Sequence, residues 1–383
     1  MNSRSRHAFA WLLALLCSTG LLTTIAKASA DLATGKRAYE QGDYDTALKY
    51  LKPLADAGNP EAQDLMGEMH HWGRGLPRDP DRAAKWFRLA AEKGNAEAQC
   101  ELGAFYGAGL AVPQDNAQSF KWERMSAEQG YADCMCSLGA KYEDGSGVDQ
   151  DYVQALRWYT LATEKWGYCH VDLGLMYARG RGVDVDYGRA ATLFRLGVEK
   201  KEFGSQFNLA LLYEEGRGVS QDYVEAARLF KEVASWDRAA QVNLGNLYLI
   251  GKGVPQDYTE ALKLFRKAAD NGEPLAQMKV GLIYENGYGV PQDYAEALRW
   301  HRRAAEQGQA NAQATLGLAY LEGKGCPQDY VLAHLWFNLA AASGNETARE
   351  LRESVAKTMT TDQIAQAQRL AREWHPKKSR FAP

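Results

Sequence analysis

A period of 36 residues constrains this chain more than any other feature. A small residue preceded by Leu, Val or Met recurs at Gly67, Gly103, Gly139, Gly174, Ala210, Gly245, Gly281 and Gly317, at intervals of 36, 36, 35, 36, 35, 36 and 36 residues. Six residues after each stands a glycine: 73, 109, 145, 180, 216, 251, 287 and 323. Eight after stands another in seven of the eight copies, Ala111 being the exception. These three columns absorb 22 of the 36 glycines in the 383-residue chain. One unit of this length cannot bury its apolar face alone, whereas stacked copies can. The period therefore excludes a single globular core and points to a stack.

The other columns say what each unit is. Three residues after the small residue is a Tyr in seven copies, with His70 in the first. Five before it is a small side chain, as at Ala276, and the stretch Ala276, Val280, Ile283, Tyr284 has helical spacing. The glycine at +6 suits a helix C′ position in left-handed conformation. Twelve after comes Asp in every copy, from Asp79 to Asp329, placed to cap a second helix. In Asp222–Glu225, Asp257–Glu260 and Asp293–Glu296 the spacing is that of a capping box. The second helix carries Ala297, Trp300 and Ala304 at 3–4 spacing, and such helices end near Gly94, Gly130, Gly272 or Gly308. Each unit reads as helix–loop–helix. The expected fold is an all-α superhelical solenoid of about nine stacked helix–loop–helix repeats with a C-terminal helical cap.

On these motifs the chain resembles the Sel1-like repeat family, a relative of the tetratricopeptide repeat with a longer loop inside the hairpin. Gly-Lys-Gly-Val-Pro-Gln-Asp-Tyr at 251–258 and Ala-Glu-Gln-Gly-Gln-Ala-Asn-Ala-Gln-Ala-Thr-Leu-Gly at 305–317 carry the resemblance. The organisation read from the sequence is a leader at 1–30, a tetratricopeptide-like hairpin at 31–57, Sel1-like repeats at 58–343, capping helices at 344–376 and a basic tail at 377–383. The copy running into Gly174 is one residue short, and the one at 198–206 is degenerate, so local distortion is expected there. The resemblance implies an adaptor that binds proteins or peptides.

Residues 1–30 have the layout of a secretory signal peptide: Arg4 and Arg6, an apolar stretch from Ala8, and Ala28-Ser29-Ala30 as the cleavage site. A periplasmic or secreted protein follows, with no membrane span after cleavage. The formal net charge of −3 argues against nucleic acid as a partner. Outside the leader are five cysteines. Cys326 stands in a loop column of Val and Leu and reads as a buried small hydrophobe. Cys134 and Cys169 share one column, and Cys100 and Cys136 share another two residues on. Same-column positions lie a helix spacing of roughly 8–10 Å apart, too far for a disulfide. Residues two apart on one helix face nearly opposite ways. Cys134 can then reach back to Cys100 while Cys136 reaches forward to Cys169. The alternative is four unpaired core thiols, and the exported context favours the bridges.

Sites of chemistry are scarce. His70 and His71 have no third ligand at metal spacing, and His70 and His301 sit in aromatic columns, so packing roles are expected. Ser354-Val-Ala-Lys357 matches the S-x-x-K pattern of penicillin-recognising enzymes, but no S-D-N or K-T-G companion exists. Some cysteine-rich relatives act on β-lactams, which makes a cell-wall or β-lactam hydrolase the rival to a non-enzymatic scaffold. No cofactor fingerprint and no metal set is read. The candidate ligand-facing column lies four residues before the small residue: Gln63, Gln99, His170, Gln206, Gln241, Gln277 and Gln313. An amide there can pair with the backbone of an extended ligand on the concave face, or with its own repeat's loop.

Overall fold

The computed structural model describes residues 27–377. The expected leader lies outside them except for 27–30, and the basic tail except for Lys377. Among the described residues all regular structure is α-helical. The chain divides at Asp186 into two units. The first holds α1 (27–40), α2 (Tyr44–Asp56), α3 (Pro60–Trp72), α4 (Pro80–Glu92), α5 (Ala96–Ala108), α6 (Asn116–Glu128), α7 (Ala132–Asp144), α8 (Tyr152–Trp166) and α9 (His170–Arg179). The second holds α10 (Tyr187–Glu199), α11 (Ser205–Glu215), α12 (Tyr223–Val233), α13 (Arg238–Ile250), α14 (Tyr258–Asp270), α15 (Pro274–Asn286), α16 (Tyr294–Glu306), α17 (Ala310–Glu322), α18 (Tyr330–Ala342), α19 (Glu346–Ala356) and α20 (Thr361–Glu373). In each unit a helix packs mainly on the helices before and after it, as a repeat stack requires.

The small-residue column sets how closely the two helices of a repeat approach. A Cβ at Gly245 would lie 2.7 Å from the Phe265 ring, and one at Gly317 would lie 2.7 Å from the Phe337 ring. Removing the side chain lets each ring lie on the backbone of the first helix, and both rings are wholly buried. Each contributes roughly 1.5–3 kcal/mol of transfer free energy. In one copy the ring is replaced: Glu123 faces Gly103, buried, held by Ser119 and by Ser137 Oγ at 2.5 Å, with Lys141 Nζ at 3.4 Å as countercharge.

The loops are built by glycine, glutamine and aspartate together. Gly251 ends α13 at φ +67, its N–H donating to Leu247 O. Gly253, also left-handed at φ +72, is tighter. A Cβ there would lie 2.1 Å from Tyr223 O and 2.2 Å from Tyr223 C, at the start of α12 in the preceding repeat. Ala111 fills the equivalent place at φ +57. Beside it, against α4, is a cavity of about 450 Å³ lined by Ala84, Arg88, Leu89 and Val112 among others. In the loops, Gln256 Nε2 donates to Leu249 O at 2.9 Å, and Gln114, Gln150, Gln221, Gln292 and Gln328 do the same seven residues back.

The expected Asp caps are present: Asp79, Asp115, Asp151, Asp222, Asp257, Asp293 and Asp329 each accept from the first-turn backbone. The capping boxes expected at Glu225, Glu260 and Glu296 are corrected. The Asp N–H such a glutamate would accept from is already used, since Asp257 N donates to Tyr248 O at 3.0 Å and Asp222 and Asp293 do likewise. The glutamates turn to bases one turn on: Glu225 to Arg228, Glu260 to Lys263, Glu296 to Arg299. The box forms at α20, between Thr360 and Gln363.

The irregular copies distort as their spacing suggests. α9 shortens to 10 residues behind a left-handed Cys169, and Lys201 is left-handed before the 11-residue α11. After α18 the repeat pattern stops and α19 and α20 pack on that helix. Trp374 meets Trp336 edge-on at 6.3 Å, and Lys377 N donates to Glu306 O at 2.8 Å.

Candidate interaction surface

The glutamine column does not face outward, and its ligand-facing reading is corrected. Gln63, Gln99, Gln241, Gln277 and Gln313 are buried. Their Nε2 atoms donate to Ala55 O, Ala91 O, Ala234 O, Ala269 O and Ala305 O at 2.8–3.2 Å. Those carbonyls lie in the last turn of the preceding second helix or, for Ala234, just after it, and the side-chain amide adds a bond to each. The amide ties one repeat to the next. It does not bond its own repeat's loop. Gln206 is half-buried and His170 is buried.

Cys100 and Cys134 are at disulfide distance, with Cα atoms 5.7 Å apart, and so are Cys136 and Cys169, at 6.0 Å. The pairs run from α5 to α7 and from α7 to the start of α9. Cys326 is only half-buried, short of the burial expected, with its thiol near Ala319 O. His70 and His301 are buried in their aromatic columns. The His301 ring lies over Gly281, with Nε2 3.5 Å from Glu285 Oε2. That imidazole beside Glu285 holds its carboxyl below the ordinary glutamate value. Ser354 and Lys357 are exposed at the end of α19, so the S-x-x-K match has no enclosed nucleophile.

The structure gathers several acidic residues into one groove lined by α1, α3 and α5 together with Tyr131, the residue before α7. Its volume is about 360 Å³, and Lys36, Glu61, Asp64, Asn95, Glu97 and Tyr131 line it with Leu65 and Ala96. Lys36 Nζ pairs with Glu61 at 2.6 Å. Asp64 is 2% exposed. Burial first, then the charges of Glu97, Glu68 and Glu101, push its carboxyl up to about 9. The same causes raise Glu101 to about 7, with Asp133 contributing, and raise Glu97. The hydroxyl of Tyr39 donates to Glu68 Oε2 and receives Arg74 at 2.6 Å, while Tyr131 donates to Glu97 Oε1 at 3.3 Å. Desolvation beside these carboxylates raises both phenols. The signal was in the sequence as Glu61, Asp64 and Glu68 at helical spacing on one segment, answered by Glu97 and Glu101 on the next.

A stack of helix–loop–helix units with long glycine-bounded loops defines a class of α-helical repeat proteins. The Sel1 repeat model matches nine successive segments, 26–59, 60–95, 96–131, 132–165, 167–201, 204–235, 238–273, 274–309 and 310–345. The chain belongs to the Sel1 repeat family. The first match takes in the short hairpin before Pro60, and the fifth and sixth take in the irregular copies. Among solved structures, a Sel1 repeat protein from Oxalobacter formigenes is 30% identical with a TM-score of 0.60, over 80% of this chain and 90% of that one. A protective antigen of uropathogenic Escherichia coli displaying an SLR fold is 30% identical with a TM-score of 0.52, over 93% of this chain and 94% of that one. No curated protein matches the chain. Repeats of this kind generally mediate protein–protein interaction.

Proposed function

We propose that this chain is an exported, non-enzymatic scaffold that docks a protein or peptide partner across the first-helix face of its first unit. The observation that carries the reading is the acidic groove: α1, α3 and α5, with the residue preceding α7, line one trough, with Lys36 and Arg74 as countercharge. A partner segment bearing Lys or Arg would be steered there and oriented by the tyrosine hydroxyls. Export is supported by the leader-like segment at 1–30 and by the paired cysteines, which oxidise in such a compartment. No helix among the described residues is long and apolar enough to cross a membrane.

The test is affinity capture from an envelope extract with the wild-type chain and with a Glu97→Gln/Glu101→Gln variant of unchanged helical content. The reading expects a partner retained by the first and lost by the second, with binding that weakens as salt rises. Equal retention by both would remove the groove from the interface.

A further inference from the structure

The inner end of the groove does more than present negative charge. One carboxylate oxygen each from Asp64, Glu68 and Glu97 lie within 4.8 Å of one another. Asp64 and Glu68 are one turn apart on α3, and Glu97 enters from the first turn of α5 in the next repeat. A carboxylate triplet is common on protein surfaces and proves nothing by itself. Here a second observation points to a missing partner. Asp64 lines the groove while being almost wholly buried, and its Oδ1 atom makes no hydrogen bond. A buried carboxylate oxygen without a donor costs free energy unless something cationic answers it. Lys36, whose charge acts on Asp64, is committed to Glu61.

The two outer carboxylates are also held in place. Tyr39 bonds Glu68 and Tyr131 bonds Glu97, each through one oxygen. Hydrogen-bond donors that hold ligating carboxylates are a recurring support of metal ligands.

We propose that Asp64, Glu68 and Glu97 bind one divalent cation of the calcium type. The donors are all carboxylate oxygens, which suit hard cations, and no thiol or imidazole belongs to the set. Three carboxylates contributed by two successive repeats suit the flexible shell of Ca²⁺ better than the near-ideal octahedron that Mg²⁺ demands. The open groove leaves room for the waters that complete six to eight ligands. Because the site joins α3 to α5, the ion would tie the second repeat to the third. Glu101 and Asp133 stay free of it for a partner.

The experiment needs no partner, so its failure leaves the docking reading standing, and failure of the docking reading leaves the ion site standing. Chelator-treated mature chain is titrated with CaCl₂ and with MgCl₂ by calorimetry. Tb³⁺ emission sensitised by Tyr39 and Tyr131 serves as a second readout. The expected result is one Ca²⁺ site with Kd in the range of about 10⁻⁴–10⁻³ M typical of extracellular modules, and weaker Mg²⁺ binding. Asp64→Asn and, separately, Glu97→Gln should each weaken Ca²⁺ at least about tenfold, as expected when one charged ligand is lost. Glu225→Gln, on α12, should leave it unchanged. Glu97 is exposed, so its variant keeps the fold and guards against misreading an unfolded Asp64 variant. Absence of saturable binding up to about 10 mM Ca²⁺, ten times the weak end of that range, or wild-type affinity in both site variants, would overturn the proposal.

Discussion

Replacing Gly253 with alanine should cost far more than replacing Gly251, although the two stand two residues apart in one loop. Both are left-handed, at φ +72 and +67, so each alanine carries roughly 1–2 kcal/mol of backbone strain. At Gly251 the added methyl meets the Gln256 Cβ at 3.1 Å and its N at 3.4 Å, contacts that a shift of a few tenths of an ångström relieves. At Gly253 it meets backbone: Tyr223 O at 2.1 Å, Tyr223 C at 2.2 Å and Val224 N at 2.7 Å. No rotamer change relieves that, so the loop must lift from the start of α12. Adding an overpacking cost of about 1–3 kcal/mol gives about 2–5 kcal/mol for Gly253→Ala against about 1–2 for Gly251→Ala. The assay is urea unfolding followed by helical circular dichroism, comparing midpoints rather than extrapolated free energies because a repeat array need not unfold in one step. The native chain contains its own control. Ala111 occupies the same column at φ +57 beside a cavity of about 450 Å³, so Ala111→Gly should relieve roughly 1–2 kcal/mol of the same strain and raise the midpoint. If the Gly253 variant were no less stable than the Gly251 variant, the loop glycine would not be a contact between repeats.

Gln241→Ala and Gln277→Ala should each lower stability by about 0.5–1.5 kcal/mol, because each removes a buried hydrogen bond between repeats, while partner binding measured below the melting temperature stays the same. Non-reduced mass spectrometry after alkylation should find one free thiol in the mature chain, Cys326. Cys136→Ser should then cost about 3–4 kcal/mol by opening a loop of 33 residues. Asp64 has a carboxyl raised in the fold from 3.8 to about 9, so the native state holds its proton where the unfolded state releases it. Stability of the metal-free chain should therefore fall as pH rises between about 4 and 9, by up to about 4 kcal/mol at pH 7. Asp64→Asn should remove that slope in pH-dependent thermal melts, and a slope of opposite sign would refute the placement.

The fold could be read in the sequence because each column does one local job that glycine, aspartate or an aromatic ring alone does well. The Asp257 cap and the Gly251 turn are decided within one repeat. What escaped depends on where a neighbouring repeat lands. The Gln277 amide looked like a spare donor until the last carbonyls of α14 were seen beneath it. The glutamates of the supposed capping boxes were misread because the Tyr carbonyl that takes the Asp N–H lies across the loop. The acidic groove is likewise a property of stacking: Glu68 and Glu97 are 29 residues apart in the chain and become neighbours only when α5 lies beside α3.

The contact between a loop glycine and the following repeat's predecessor gives the stack a direction. Each repeat offers a helix N-terminus as a socket, and the next repeat inserts a glycine, as Gly325 does against Tyr294. Such head-to-tail contacts have unlike ends, the kind that propagates into open filaments when the rotation between copies does not close a ring. At the last repeat α19 and α20 cover α18 in place of a further loop. The capping helices thus act as a chain terminator. A chain cut before Glu346 would expose an end able to accept another molecule's repeat and so gain a route to concentration-dependent polymers.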